Sequence, residues 1–186
     1  IGGVQPGEQE VTIVASSIPY KRQVNVVAAH TSDVNFIVPV PQNIALSKNV
    51  EASSTLGGSI ASNAVDGDPS TRWLTEDGAS PPHWLIIDLG DTFGLNHAVV
   101  RTGFIGEQGI TLPVPEFQLQ YWDGETWSDI PGASVTDNTD TDTYLAFTAP
   151  IVTTKVRFYT EHPGTVSGGT SVHRIREIEI YGVPVL

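Results

Sequence analysis

The sequence predicts an all-β protein, a sandwich or barrel of many short antiparallel strands. No segment of eleven or more residues places apolar side chains at helical spacing. Short β-branched and aromatic runs instead recur between turn residues, which include 18 Gly and 13 Pro. Several of these runs alternate apolar and polar residues, the pattern of a strand with one buried face. Together these observations favour an all-β fold.

Length and charge limit the possible functions. The 186 residues suffice for one ordinary domain with a remainder, or for one large β domain. The formal net charge of −12 repels nucleic acids and anionic membrane surfaces. No apolar run approaches the length of a membrane span, so membrane insertion is not expected. Because the chain begins IGGVQPGEQE, without Met or a signal-peptide pattern, we expect it to be processed or excised from something longer.

The absence of cysteine removes several kinds of chemistry at once. Disulfides, thiolate catalysis, cysteine-based zinc sites and iron–sulfur ligation all require this residue, and the chain has none. Stability must therefore come from the hydrophobic core or from a metal bound by other ligands.

The first 42 residues form a separate segment of predicted strands. The runs at 11–18, 22–29 and 34–41 are rich in β-branched residues, and Pro39 and Pro41 end the last of them. Residues 1–42 are too few to bury a core alone. We therefore expect them to be a β-rich arm, or the remnant of a preceding module. They pair with the same chain, with another module or with an identical subunit.

From residue 43 onward the strand pattern continues to the end of the chain. Predicted strands lie at 83–90, 95–104, 116–124, 125–130, 143–150, 154–160 and 175–182. Asp123-Gly124 separates two of these strands and predicts a tight hairpin turn. Trp73, Trp84 and Trp127 are expected in the core. Trp122 alternates to the face opposite Tyr121 and is expected to be exposed.

The segment SNAVDGDPSTRW (62–73) carries the groups that a calcium ion requires. Ca²⁺ takes six to eight oxygen ligands. Asp66 supplies a carboxylate, Asp68 a carbonyl or carboxylate, and Thr71 a hydroxyl, while Gly67 allows a sharp turn. The spacing excludes an EF-hand. On these residues alone, a solvated turn without metal remains the alternative.

Six segments in order resemble one family. NIALSKNVEASS (43–54), ASNAVDGDPSTRW (61–73), HWLIIDLGD (83–91), FQLQYWDGETW (117–127), TKVRFY (154–159) and IREIEIYG (175–182) resemble the discoidin or coagulation factor 5/8 C-type domain. The bacterial form of this domain is the family 32 carbohydrate-binding module. The resemblance covers about residues 43–182 and implies that residues 43–186 form a galactose-binding-like jelly-roll β-sandwich. It also implies bound Ca²⁺ and a glycan-binding site on the loops.

The resemblance implies a calcium site that joins this loop to the last strand. Two positions supply side-chain carboxylates, one supplies both of its oxygens, and three supply backbone carbonyls. The carboxylates are Asp66 and Glu177, the residue with two oxygens is Thr71, and the carbonyls belong to Asn63, Asp68 and Arg176. The pattern of the last strand agrees, because Glu177 points away from the apolar face of Ile178 and Ile180.

The sugar site implied by the resemblance lies on loops at 55–60, 74–83, 101–112 and 161–173. Glycan recognition needs an apolar plate and fixed polar groups. The candidates are Glu76, Asp77, Arg101, Phe104, Glu107, Gln108 and His162. His173 is a further polar candidate, whereas His83, between Pro82 and Trp84, is expected to be structural. Ion pairing for Arg101 and core packing for Phe104 are the alternative roles.

Three classes of function remain. No nucleophile elbow, zinc-protease helix or phosphate-binding loop is present, so we do not expect an enzyme. The residues and the resemblance predict a non-catalytic, calcium-stabilised module. It would bind galactose-like or related extracellular or cell-surface carbohydrate. The alternative is a structural or adhesive subunit of a cell-surface, filament or virion assembly, with residues 1–42 mediating assembly.

Overall fold

Nearly every regular element of the protein is a β-strand, as predicted. The computed structural model describes residues 5–15, 18–28, 38–105 and 110–185. The strands are β1 (Gly7–Ala15), β2 (Ile18–Val26), β3 (Gln42–Asn43), β4 (Asn49–Ala52), β5 (Trp73–Leu74), β6 (His83–Thr102), β7 (Phe117–Trp122), β8 (Trp127–Val135), β9 (Asp142–Thr160), β10 (Thr165–Ser167), β11 (Thr170–Val172) and β12 (Arg174–Pro184). A single 3-10 turn spans Ala61–Ala64. Within the described residues, no helix has the length and apolar character needed to cross a bilayer.

The chain divides into two compact units, Ile1–Val40 and Pro41–Leu186. In the first unit, β1 and β2 pair as an antiparallel hairpin. Both strands begin about four residues earlier than the sequence pattern indicates. Most of the third predicted run lies outside the described residues, and its last part, 38–41, carries no strand.

The second unit is a jelly-roll β-sandwich. Its large antiparallel sheet runs β3-β12-β6-β9-β7-β8, with β4 beside β6 and β5 beside β12. The long strands β6 and β9 pair with each other in three stretches separated by register shifts. The early part of β6 pairs with β4, and its later part pairs with β12. Each long strand therefore contributes to both layers of the sandwich.

The core lies between these layers and follows the alternation of the strands. Leu85, Ile87 and Leu89 of β6 are buried, and the residues between them are not. In β12, Ile178 and Ile180 are fully buried, as the sequence predicts. Trp73 is also fully buried, and its indole N–H donates to the carbonyl of Ser54 at 3.0 Å. Trp73 pairs with Ile175 of β12, which holds the end of the 62–73 loop beside that strand.

Candidate functional site

Oxygen atoms converge in the loop that follows the 3-10 turn. The Thr71 hydroxyl oxygen lies 2.8 Å from an Asp66 carboxylate oxygen, 3.0 Å from the Asp68 carbonyl oxygen and 3.3 Å from the Asn63 carbonyl oxygen. The Asp68 carboxylate turns away and accepts from the amide and hydroxyl of Ser70. These bonds lower the pKa of Asp68. Asp68 therefore presents its carbonyl, and not its carboxylate, to the other oxygens.

Glu177 of β12 joins these oxygens from across the sandwich. Both of its carboxylate oxygens accept from the amide of Gly67, at 3.2 and 3.3 Å. Gly67 has a φ of +81°, and an added Cβ would lie 2.9 Å from Leu46. The positive φ favours glycine at this turn, and a Cβ would also force the end of the Leu46 side chain to shift. We call Asn63, Asp66, Asp68, Thr71 and Glu177 the oxygen cluster.

The electrostatics of the oxygen cluster favour a cation. Glu177 is 1% exposed, and burial raises its pKa to about 7, with further upward contributions from Asp66 and Glu179. The Gly67 amide and Arg101 offset only part of this. Oxygen separations near 3 Å are those expected between neighbouring ligands of a cation with bonds of about 2.3–2.6 Å. The residues therefore fit Ca²⁺ in both charge and spacing.

In the described part of the chain, no three histidine, aspartate or glutamate side chains are placed so that they could hold a metal ion by themselves. The oxygen cluster differs because backbone carbonyls and a hydroxyl supply most of its oxygens. This mixture suits a hard cation such as Ca²⁺ better than zinc.

Arg176 lies at a β-bulge beside Glu177. The register of β12 against β6 shifts between Ile175 and Glu177, so Arg176 has no partner on the neighbouring strand. Its guanidinium is buried, bonds to Asp142 at 2.5 Å and donates to the carbonyl of Thr102 at 3.2 Å. The bulge redirects the backbone next to the oxygen cluster, where its carbonyl is expected to be a ligand.

Arg101 lies within β6 and not on a loop, which corrects the predicted position of this residue. Its Nε and Nη2 donate to Glu179 at 3.2 and 3.0 Å, and its Nη1 donates to Asp142 at 3.0 Å. The ion pairs help to keep the pKa of Arg101 above its usual value despite the opposing effect of burial. All three nitrogens of the guanidinium are thus engaged with carboxylates.

Two of the predicted sugar-binding loops meet at one end of the sandwich. The Asp77 carboxylate accepts from the amide of Ser171 at 2.7 Å, and the Gly78 amide donates to the Ser171 carbonyl at 3.1 Å. The neighbouring Glu76 side chain is exposed. We call this region, formed by 74–83 and 161–173, the loop end.

Three histidines lie together under the loop end. The ring centroid of His173 lies 5.0 Å from that of His83 and 5.7 Å from that of His162. His83 and His173 are 2% and 0% exposed, which removes His173 from the surface groups available to a sugar. His162 is half-buried, and its Nδ1 accepts from the Gly164 amide, so its Nε2 carries the proton.

Phe104 is half-buried beside two arginines. The guanidinium carbon of Arg174 lies 4.5 Å from its ring centroid, and that of Arg72 lies 5.7 Å away. The aromatic ring is thus held by cations and not packed in the core. The predicted candidates Glu107 and Gln108 lie outside the described residues.

The prediction of a core position was wrong for Trp84 and Trp127. Both are half-exposed and lie outside the core cluster, while Trp122 is half-exposed as well. The alternation in HWLIID contains the signal, because Trp84 is out of phase with Leu85 and Ile87. The prediction relied on the apolar character of Trp and not on its position in the alternation.

A family model of the F5/8 type C domain matches residues 49–178. The chain belongs to the F5/8 type C domain family. No curated protein matches the chain at a significant level.

Solved structures with the same fold include several carbohydrate-binding modules. Chitosan-binding module 1 of a chitosanase/glucanase from Paenibacillus sp. IK-5 is 26% identical, with a TM-score of 0.60, covering 76% of this chain and 99% of that one. The family 32 module of Clostridium perfringens NanJ, solved with galactose, is 18% identical, with a TM-score of 0.59, covering 76% and 98%. A fucose-binding module of Streptococcus pneumoniae is 22% identical, with a TM-score of 0.57, covering 75% and 97%. This F5/8 type C domain thus has the fold of carbohydrate-binding modules.

Proposed function

We propose that the chain is a non-catalytic carbohydrate-binding module, stabilised by calcium, that recognises galactose-like or related glycans outside the cell or on its surface. The observation that carries this proposal is the match of almost the full length of a chitosan-binding module at 26% identity. Similar modules bind chitosan, galactose and fucose, which supports carbohydrate as the partner.

The calcium part of the proposal rests on the oxygen cluster. The Asp66 carboxylate, the Thr71 hydroxyl and the carbonyls of Asn63 and Asp68 lie at separations suited to Ca²⁺. The Glu177 carboxylate is held beside this loop by the Gly67 amide. The Arg176 carbonyl is the sixth proposed ligand. When bound, the ion compensates the buried charge of Glu177 and ties the loop to β12. The proposed role of the ion is structural, because its ligands lie on a loop and on β12 and the ion would hold the two together.

The sugar part of the proposal places the glycan at the loop end. The Glu76 carboxylate has no hydrogen-bond or ion-pair partner among the described residues, and His162 offers a ring N–H. Asp77 keeps one carboxylate oxygen beyond its bond to Ser171. Phe104 provides the apolar plate, and Glu107 and Gln108 remain proposed contacts. We leave Arg101 out of the sugar contacts, because a sugar hydroxyl would have to displace a carboxylate from it.

Binding and stability measurements test the two parts separately. Glu76→Gln and His162→Ala are expected to weaken glycan binding by about tenfold each, the value of one good hydrogen bond. Glu8→Gln, an exposed change in β1, is the control for these binding measurements. Unchanged glycan affinity in both loop-end variants would refute this sugar site.

The calcium part is tested by thermal unfolding. Asp66→Asn is expected to abolish the rise in Tm on adding calcium, while Asp91→Asn, an exposed change, retains it. Unchanged calcium dependence in Asp66→Asn would refute the metal site.

A structural or adhesive subunit is the second candidate. The observation that favours it is the β1–β2 hairpin, in which none of the residues with described side chains is fully buried. A lone two-stranded hairpin is marginally stable and gains from pairing with another surface. Sedimentation of the full chain distinguishes the candidates, because an assembly subunit associates with rising concentration and a plain binding module does not.

A further inference from the structure

A groove crosses the outer face of one sheet, away from the residues assigned above. It has a volume of about 630 Å³ and is lined by Asn49, Val50, Glu51, Ile86, Asp88, Trp122, Trp127 and Lys155. These residues come from β4, β6, β9, β7 and β8, which are five neighbouring strands. We call it the sheet-face groove. Its volume falls within the usual range for ligand sites.

The strand register sets the side chains of the groove in a row. Asn49 pairs with Asp88, Asp88 pairs with Lys155, and Trp122 pairs with Trp127. With strands about 4.8 Å apart, five strands span roughly 19 Å. The row is therefore long enough to contact several sugar units of an extended polysaccharide.

The two tryptophans are held in place before any ligand binds. Their rings meet edge to face with centroids 5.5 Å apart, and the Arg157 guanidinium carbon lies 4.6 Å from the Trp127 ring centroid. The turn between them is fixed by Asp123, whose carboxylate accepts from the amides of Glu125 and Thr126. These bonds lower the pKa of Asp123 to about 2. Fixed aromatic plates lose little entropy when a sugar stacks on them.

Two polar side chains of the groove have no partner within the described part of the chain, and the other two pair with each other, with Asp88 also accepting from the Gly90 amide at 3.0 Å. Among the described residues, the side chains of Asn49 and Glu51 have no hydrogen-bond or ion-pair partner. Asp88 and Lys155 form a long, half-exposed ion pair at 3.7 Å. The lining thus carries two carboxylates and one ammonium group, in a chain of net charge −12.

We propose that the sheet-face groove is a second glycan site, which binds an extended polysaccharide bearing free amino groups. The inference rests on the proposed carbohydrate function but concerns a different surface from the loop end. The tryptophans stack on sugar faces, Glu51 binds an amine, and Asn49 bonds to hydroxyls. Because Lys155 pairs with Asp88, Glu51 is the unpaired charge of the described lining, and it favours a cationic chain over an anionic one.

Three β-1,4-linked tetrasaccharides test the inference, because they differ only at the second carbon of each sugar. The glucosamine tetramer carries amines, the N-acetylglucosamine tetramer carries acetamides, and cellotetraose carries hydroxyls. The full chain is titrated with each by calorimetry and by tryptophan fluorescence. We expect the glucosamine tetramer to bind about tenfold more tightly than cellotetraose, the gain of one charge-assisted bond.

Matched variants identify the surface. Trp122→Ala is expected to weaken binding of the glucosamine tetramer by about tenfold or more. Tyr144→Ala, which removes an exposed aromatic ring from another face, is the control and should change affinity less than twofold. Glu51→Gln should remove the preference for amines, while Glu8→Gln retains it. Circular dichroism and Tm confirm that each variant is folded.

The outcomes separate this site from the loop end. Loss of tetramer binding in Trp122→Ala with galactose binding unchanged supports the groove. Loss of tetramer binding in His162→Ala alone overturns the groove and leaves the proposed function standing. Equal affinity for the glucosamine tetramer and cellotetraose overturns the amine assignment. If the wild-type chain does not bind the glucosamine tetramer at all, the groove proposal fails, whatever the loop end binds.

Discussion

Glu177 is the residue at which burial and charge conflict most directly. It is almost fully buried, and among the described residues its carboxylate accepts from a single backbone amide, that of Gly67. Without a cation this carboxylate destabilises the fold, because a buried charge needs compensation. In the proposed calcium-bound form, the same carboxylate would be a ligand.

Glu177→Gln is therefore expected to have opposite effects in the two conditions. In EDTA the variant should be at least as stable as the wild type, because it removes the buried charge. With calcium at a hundred times the wild-type Kd, it should lack the roughly 2.7 kcal/mol that bound calcium adds. Thermal unfolding in both buffers measures this crossing. A variant that is equally destabilised with and without calcium would show that Glu177 serves packing only.

The buried histidines predict how stability depends on pH. Burial lowers the pKa of His83, and it lowers the pKa of His173 to about 4. The unfolded state, with a pKa near 6.5, then binds more protons than the folded state as the pH falls. The contribution of these histidines to stability should be complete above pH 6.5 and decrease towards pH 4, by roughly 3 kcal/mol for His173, while the raised pKa of Glu177 acts in the opposite direction.

The variant His173→Phe isolates this contribution. Urea unfolding between pH 7 and pH 4 should show a smaller loss of stability in the variant than in the wild type, because phenylalanine takes up no proton. The acidic residues titrate in both proteins and cancel in the comparison. Identical slopes for the two proteins would contradict the assignment.

At the residue scale, the sequence predicts which residues lie near one another better than it predicts where each side chain points. The family resemblance predicts that Asp66, Thr71 and Glu177 lie together, because it supplies the long-range pairing that a short motif lacks. The sequence does not reveal that Arg101 forms ion pairs with Glu179 and Asp142, because these contacts depend on the register of β6, β9 and β12. The phase of Trp84 was readable from its neighbours, but the phase of Trp127 depends on its pairing with Trp122.

At the element scale, the long strands β6 and β9 differ from the pattern in the sequence. Turn residues such as Gly90 and Pro150 predict separate strands on either side of them. The structure instead has continuous strands with register shifts, for example between Asp88 and Phe93. Turn residues within a strand mark irregularities that let it pass from one layer to the other. A local pattern does not distinguish this from a chain reversal.

Gly103, directly after β6, allows a close backbone approach to Thr111 that a larger residue would prevent. Its φ is +71°, and an added Cβ would lie 2.1 Å from the Thr111 carbonyl oxygen. Gly103→Ala should lower the free energy of unfolding by more than about 2 kcal/mol, because both the backbone angle and the backbone contact oppose it.

Gly78→Ala is the matched control for this change. Gly78 has a similar φ of +67°, but an added Cβ would meet no atom within 4 Å. It should cost only the conformational penalty of about 1–2 kcal/mol. Urea unfolding of both variants gives the difference. Equal losses would mean that the close approach to Thr111 contributes nothing.

At the scale of the whole molecule, all core-cluster residues within the described ranges lie in the second unit. Its first residue along the chain is Ile44, and the first unit ends at Val40. Removal of residues 1–40 should therefore change the Tm by less than about 4 °C, equivalent to about 1 kcal/mol. The truncated chain should also keep its response to calcium.

Thermal unfolding of the truncated chain with and without calcium measures this. Failure of residues 41–186 to fold would show that the first unit completes the sandwich. Loss of self-association together with retained folding would favour the assembly function of the hairpin.

The central claim is that this F5/8 type C domain binds glycans without acting on them. A glycan array probed with the full chain in millimolar calcium tests it most directly. We expect binding to a restricted set of glycans that present galactose-like or related sugars, with the arrayed glycans left chemically intact. An array covering plant, algal, bacterial and animal glycans without any specific binding would contradict the claim and favour the structural subunit.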